Sequence, residues 1–296
     1  MNSFEKKQRL NYLQRIKIAF QYAMPQFYLT RLAGWFAERN WGVVSHFAIK
    51  LFARQYNVDM QEAEKSEFSA YANFNEFFIR KLKADARPIE QDPNRLCLPA
   101  DGRISQLGRI EEELLLQAKG HSYSLSDLLA GDQELVETFK NGEFITTYLS
   151  PRDYHRVHMP CDGRLRKMIY VPGELFSVNP FLNEHIPNLL ARNERVICVF
   201  DTAFGPMVQI LVGATITASI STVWAGVINP PRSAEPKSWS YATESAPQLA
   251  KGEEMGAFRL GSTVINLFPQ GAVKLAEHLQ LDSRTRVGES LGGIID

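Results

Sequence analysis

The chain has 296 residues, enough for one large domain or two small ones with a sizeable core. Lys and Arg number 33, as do Asp and Glu, so the molecule as a whole advertises no polyanionic partner. Cys97, Cys161 and Cys198 are odd in number and far apart, which fits no disulfide framework and no CxxC metal site and suits a reducing compartment.

Residues 1 to about 85 read as helical. Leu10, Leu13, Ile16 and Phe20 form one apolar stripe, and Pro25 closes it off. Trp41, Val44, Phe47, Ala48 and Leu51 form a second, at spacings of three and four. Phe74-Asn75-Glu76-Phe77-Phe78-Ile79-Arg80-Lys81-Leu82 continues the pattern and ends near Pro88. Before Asp59 the acids are Glu5 and Glu38 alone, against nine Lys and Arg residues. Two readings stand: a helical subdomain packed on the core, or an interfacial patch whose aromatics enter a headgroup layer while its cations meet anionic lipid. No nucleic-acid motif accompanies the charge. The first residues lack the charged stretch, apolar core and cleavage site expected of a secretory signal, and no run approaches the ~20 apolar residues of a spanning helix. The nearest, Met207 to Trp224, is broken by Gln209 and Gly213.

From about residue 95, short β-branched runs alternate with Gly, Pro and Asp turns. Phe144–Leu149, Val196–Phe200, Val208–Val212 and Thr215–Ile220 read as strands. Pro99-Ala100-Asp101-Gly102-Arg103-Ile104 is echoed by Pro160-Cys161-Asp162-Gly163-Arg164-Leu165. Both place a tight Asp-Gly turn before a strand, as two similar turns or a duplicated β unit would.

The chemistry concentrates in two segments. Ser150-Pro151-Arg152-Asp153-Tyr154-His155-Arg156-Val157-His158-Met159-Pro160 carries two of the six histidines between prolines. His155 and His158 would face opposite sides of an extended strand. No further His or Cys lies at zinc spacing, so acid–base work near neutral pH is favoured over metal binding. The second segment is Leu260-Gly261-Ser262-Thr263. Ser262 is either a strand-edge hydroxyl or a nucleophile that attacks the Gly261 carbonyl. A nucleophile needs a base and the base an orienting acid. One of the two histidines fits the first part, and Asp101 or Asp153 the second. The Gly-x-Ser-x-Gly elbow of α/β-hydrolases is missing, and Ser262 leads into a strand, which demotes a conventional serine hydrolase.

These segments resemble those of the bacterial phosphatidylserine decarboxylases, enzymes with a pyruvoyl prosthetic group. The resemblance covers nearly the whole chain. It includes Phe74-Asn75-Glu76-Phe77-Phe78, Pro99-Ala100-Asp101-Gly102, Tyr154-His155-Arg156-Val157-His158, Pro172-Gly173-Glu174-Leu175-Phe176-Ser177-Val178-Asn179, Asn193-Glu194-Arg195 and Leu260-Gly261-Ser262-Thr263. It implies an α+β fold, with an N-terminal helical membrane-associating region (1–90) and a predominantly antiparallel β barrel or sandwich catalytic domain (91–296). It implies a self-processing triad of Asp101, His158 and Ser262, with His155 a second active-site histidine. Cleavage between Gly261 and Ser262 would turn Ser262 into the pyruvoyl cofactor. The substrate amine would join that group as a Schiff base, and phosphatidylserine in an anionic bilayer would become phosphatidylethanolamine. A homodimer, peripheral on the cytoplasmic face of the membrane, with no metal and no nucleic-acid partner, completes the expectation. The rival classes are a pyruvoyl decarboxylase of a soluble amino acid, a membrane-binding protein without activity, and a serine hydrolase.

Overall fold

The structure is a computed structural model and describes residues 11–118, 121–215, 219–229, 233–259 and 262–295. Three helices come first: α1 (Tyr12–Ala23), α2 (Gln26–Glu38) and α3 (Val43–Tyr56). Asn11 and Gln14 cap the start of α1 reciprocally, each side chain accepting from the other's backbone N–H. Pro25 separates α1 from α2, and Asn57 ends α3 in the left-handed conformation. The helical pattern expected over 74–82 shrinks to a single turn, α4 (Phe74–Phe78), capped by the Asn73 side chain and ended at Ile79, and residues 79–85 are not helical.

The rest is strand-rich. The chain runs through β1 (Arg95–Cys97), β2 (Gly102–Arg109), β3 (Leu114–Ala118) and β4 (His121–Ser124), then short helices α5 (Leu125–Leu128) and α6 (Gln133–Phe139). Next come β5 (Glu143–Leu149), β6 (Arg156–His158), β7 (Gly163–Val171), α7 (Pro180–His185) and α8 (Leu189–Arg192). They are followed by β8 (Arg195–Thr202), β9 (Gly205–Val212), β10 (Ser219–Thr222), β11 (Gly226–Val227), β12 (Lys237–Ser240) and β13 (Gln248–Leu249). The last five are β14 (Glu254–Arg259), β15 (Ser262–Phe268), β16 (Val273–Leu275), β17 (Arg284–Thr285) and β18 (Ser290–Ile294).

The largest sheet has the order β12-β7-β8-β9-β15-β5-β2-β17, with β13 also on β7. A four-stranded sheet runs β11-β10-β14-β6, and a three-stranded one β1-β18-β16. Every pairing between these strands is antiparallel, as expected. The expected barrel is not formed: among the described residues the edges β12 and β17 do not meet, and closure requires that they pair. Alternation along the strands divides the core between two faces instead. Ile197, Val199, Ile210, Ile265 and Leu267 pack with α5–α8. Val196, Cys198, Leu211 and Val264 pack with residues of the two smaller sheets. The molecule is therefore layered, helices over a broad sheet over smaller sheets.

The echoed Asp-Gly turns open β2 and β7, each one strand in from an edge of the broad sheet. The helical stripe of α3 lies the other way round from a packed subdomain. Val44, Phe47 and Leu51 are exposed, while Ser45, Ile49 and Ala53 are buried. Among the described residues no helix is long and apolar enough to cross a membrane.

Gly102 shows why its turn admits no side chain. A Cβ there would lie 2.2 Å from the Tyr148 carbonyl oxygen on β5. Backbone cannot yield as a side-chain tip can, so Gly102→Ala is expected to lower unfolding free energy by about 3 kcal/mol, the upper end of overpacking costs. Chemical denaturation measures it, and an unchanged midpoint would contradict this packing.

Candidate active site

The site lies where the chain passes between two sheets. β14 belongs to the four-stranded sheet and β15 to the broad one, so the chain crosses over between Arg259 and Ser262. Gly261, the expected cleavage partner, lies outside the described residues, as does Leu260. A second crossing runs beside the first. β5 pairs with β15, with Leu149 opposite Ser262, and β6 pairs with β14, with Arg156 opposite Ala257. Residues 150–155 join β5 to β6, and the Phe258 N–H donates to the His155 carbonyl at 3.0 Å. Pairing on both sides thus brings Ser262 and His155, over a hundred residues apart in sequence, to one junction.

Ser262 is fully buried, and among the described residues its Oγ has no hydrogen-bond partner. A buried hydroxyl is ordinarily paired, because leaving it unpaired costs its desolvation. The Ser262 Oγ therefore carries an unmet hydrogen-bonding cost at the head of β15. His155 is equally buried, and its Nε2 is also without a partner. Its Nδ1 lies 2.9 Å from the Asp153 carbonyl oxygen. A carbonyl only accepts, so Nδ1 carries the proton and Nε2 is a bare lone pair. Burial, reinforced by the nearby Arg80 cation, pushes the His155 pKa down to about 3. His155 is therefore neutral across the physiological range.

His158 is held differently. Nδ1 donates to the Gly252 carbonyl at 2.7 Å, which again leaves Nε2 unprotonated, here 3.1 Å from the Tyr154 hydroxyl. Burial lowers its pKa, while the Gly252 carbonyl and the charges of Glu254 and Asp101 oppose the shift. Gly252 can supply that carbonyl because it is glycine. Its φ is +81°, and a Cβ would lie 2.8 Å from Ile89 Cγ1.

Neither candidate carboxylate is hydrogen-bonded to a histidine ring. The Asp101 carboxylate receives Nε of Arg87 at 3.0 and 3.1 Å and the Val287 N–H at 2.9 Å. Arg87 also reaches Glu62 at 2.8 Å, and Glu62 receives Arg286 at 2.6 Å. Breaking one member of a buried pair such as Asp101–Arg87 costs about 3 to 5 kcal/mol, so this network fixes Asp101 firmly. Asp153 accepts from the Ser150 N–H and hydroxyl at 2.8 and 2.6 Å and so braces its own turn. Asp101 acts on His158 through its charge, and the Gly252 carbonyl does the orienting.

Tyr154, Gly252 and Arg87 were missed by the sequence reading. Tyr154 adjoins His155, but its spacing to His158 says nothing of a ring contact. The Lys251-Gly252 turn before β14 was the one available signal for Gly252. Arg87 carried none. Two quoted motifs are structural. The Asn193 side chain bonds both backbone groups of Phe176 and the Gly213 carbonyl. Arg195 donates to the carbonyls of Leu128, Ala191, Asn193 and Asp127.

Residues 74–293 match the family described as phosphatidylserine decarboxylase, and residues 16–57 match one described as PSD. A phosphatidylserine decarboxylase proenzyme of Mannheimia succiniciproducens is 74% identical over 291 residues, 98% of this chain and 99% of the relative. That of Pasteurella multocida is 72% identical over 291 residues, with the same coverage of both chains. That of Haemophilus influenzae is 70% identical over 281 residues, 95% and 97% of the two chains. The chain belongs to the phosphatidylserine decarboxylase family.

Proposed function

We propose that this chain is a precursor that cuts itself between Gly261 and Ser262 and then decarboxylates phosphatidylserine to phosphatidylethanolamine. The observation that carries the reading is the fully buried Ser262 Oγ, without a hydrogen-bond partner among the described residues, at the crossing shared with His155. The relatives are named proenzymes of this activity, which supports the same order of events.

In the cut, the Ser262 hydroxyl gives its proton to Nε2 of His158, which exchanges its Tyr154 contact for that proton. Oγ then bonds to the Gly261 carbonyl carbon, and the peptide C–N bond breaks to leave an ester and a free amine. Elimination breaks the Cβ–O bond and removes the Cα proton, leaving dehydroalanine at position 262. Water then releases ammonia and leaves a pyruvoyl group. The products are residues 1–261 and 262–296. Asp101 favours the protonated imidazole of His158 by its charge. His155 stays neutral, so its Nε2 remains an unprotonated acceptor beside the junction during the cut.

The residues fit a pyruvoyl group at 262. The position is enclosed, it heads a strand paired on both sides, and two lone-pair nitrogens belong to the segment beside it. Once formed, the group supplies an electron sink for loss of carbon dioxide from a bound amine. His155 excludes charge from the site and accepts from the substrate amine. His158 carries a proton at Nε2 to the carbon that has lost its carboxyl.

Residues 1–90 are read as the membrane-associating region and 91–296 as the catalytic domain. Among the described residues, Phe27, Leu32, Trp35, Trp41, Phe47 and Leu51 are exposed along α2, α3 and the connection between them, as are Arg31, Arg39, Lys50 and Arg54. A diacyl substrate leaves a bilayer at a cost of about 0.8 kcal/mol per CH₂, so the enzyme must go to the lipid. This favours a lipid over a soluble amino acid as substrate. Attachment at the cytoplasmic face and a homodimer of processed chain pairs rest on the family resemblance alone.

Three outcomes test the reading. Ser262→Ala should remain one uncut chain without decarboxylase activity; a cut or active variant would overturn it. The cleavage rate should stay level as pH falls from 8 to the ordinary imidazole value of ~6.5 and drop only in stronger acid, because burial lowers the pKa of the base His158. A midpoint at or above ~6.5 would remove His158 from that role. Phe47→Asp, at a side chain 68% exposed, should leave stability within about 0.5 kcal/mol yet weaken binding to anionic vesicles about tenfold. Unchanged binding would assign the α3 stripe another purpose.

A further inference from the structure

The Phe74–Arg80 segment closes one wall of the junction, and neither the cut nor the turnover described above uses it. Its last residue is Arg80, buried to 4% exposure. Nη2 of Arg80 donates to the carbonyls of Arg152 and Asp153 at 3.1 and 3.4 Å. The guanidinium lies over the Phe77 ring at 5.6 Å, but among the described residues Nε and Nη1 have no hydrogen-bond partner and no carboxylate forms an ion pair with them. Arg195, as deeply buried, spends its donors on four carbonyls and leaves none of its nitrogens orphaned. A buried cation with two orphaned nitrogens is costly, so its place needs a reason beyond packing.

The reason is in what the Asp153 carbonyl does. It receives Arg80 on one side and Nδ1 of His155 on the other. Phe78, two residues before Arg80, lies against the His155 ring at 4.0 Å between centroids. The clasp is returned from the other strand, because Arg156 Nε donates to the Ile79 carbonyl at 2.8 Å. Phe77, just before Phe78, is fully buried against Phe52, Phe68 and Tyr71, which anchors the segment. His155 is thus gripped on its face by Phe78 and through its carbonyl partner by Arg80.

We propose that Arg80 is a positioning residue for His155: it fixes the Asp153 carbonyl that selects the Nδ1–H tautomer, and its charge forbids a second cation beside it. Nε2 is thereby kept as a bare acceptor towards the Ser262 junction. The inference rests on the reading of His155 as a neutral acceptor given above. The other charged groups around His155 are already engaged. The Asp153 carboxylate is held by Ser150, and Arg156 is held by Glu254 of β14. Arg152 lies 3.8 Å from the Asp153 carboxylate and is half-exposed. Arg80 is the charge that bears on the ring, which agrees with its part in holding His155 neutral.

Nitrogen-15 histidine spectra of the full chain test this between pH 5 and 8, with His155→Asn assigning the signal. In the unaltered protein, His155 should appear as the neutral Nδ1–H tautomer throughout. Arg80→Gln should lose that tautomer preference, with an Nε2–H signal from His155 appearing between pH 5 and 8. Arg80→Lys should stay neutral, since it keeps the charge, while its tautomer signal weakens with the loss of the fork. A wild-type tautomer in Arg80→Gln would overturn the proposal. If Arg80→Gln does not fold, Arg80→Lys decides: a ring titrating near ~6.5 despite the retained charge overturns it. The spectra need no turnover. Failure of the decarboxylase reading would show separately, as an unaltered protein that leaves phosphatidylserine vesicles unchanged.

Discussion

Strand β15 is hydrogen-bonded on both sides, to β5 and to β9, and that double pairing decides what a cut at its first residue can do. All seven of its residues are buried. Downstream of it, β17 pairs with β2, and β18 with β1 and β16. A chain opened before Ser262 therefore stays in place, with a new terminus enclosed at the head of a central strand. The terminus inherits the rigidity of the sheet. That is the condition for making a reactive group from the backbone and using it where it was made.

The two histidines show how one short segment yields two different groups. Both donate Nδ1–H to a backbone carbonyl, and both leave Nε2 unprotonated. They part company over charge. His155 faces a buried guanidinium, whereas the carboxylates of Asp101 and Glu254 bear on His158. One ring is fitted to accept a hydrogen bond and the other to take a proton. Modest basicity suffices for maturation. A cut with a half-life of an hour needs a barrier of only about 22 kcal/mol, against about 16 for ten turnovers per second.

The sequence made the strand-rich half legible because its signal is local. Phe144–Leu149, Val196–Phe200 and Val208–Val212 are strands for the short β-branched runs and flanking turn residues that announce them. Closure of the sheet was not legible, since it depends on whether two edge strands far apart in sequence meet. The α3 stripe was legible as a stripe, but not in direction: apolar periodicity does not say whether protein or lipid covers it. Of the site, Ser262 and the two histidines stood out by residue type and spacing. Their orienting groups did not. A backbone carbonyl at Gly252 has no signature, and an acid beside a histidine in sequence, Asp153, turns out to brace Ser150 instead. Side-chain identity shows which groups can react, and long-range pairing shows which of them meet.

The most direct test is the intact mass of the purified protein under denaturing conditions. The account predicts two chains, divided between Gly261 and Ser262, with the shorter one lacking a free amino terminus. A single chain of full mass that persists through prolonged incubation at neutral pH would contradict it.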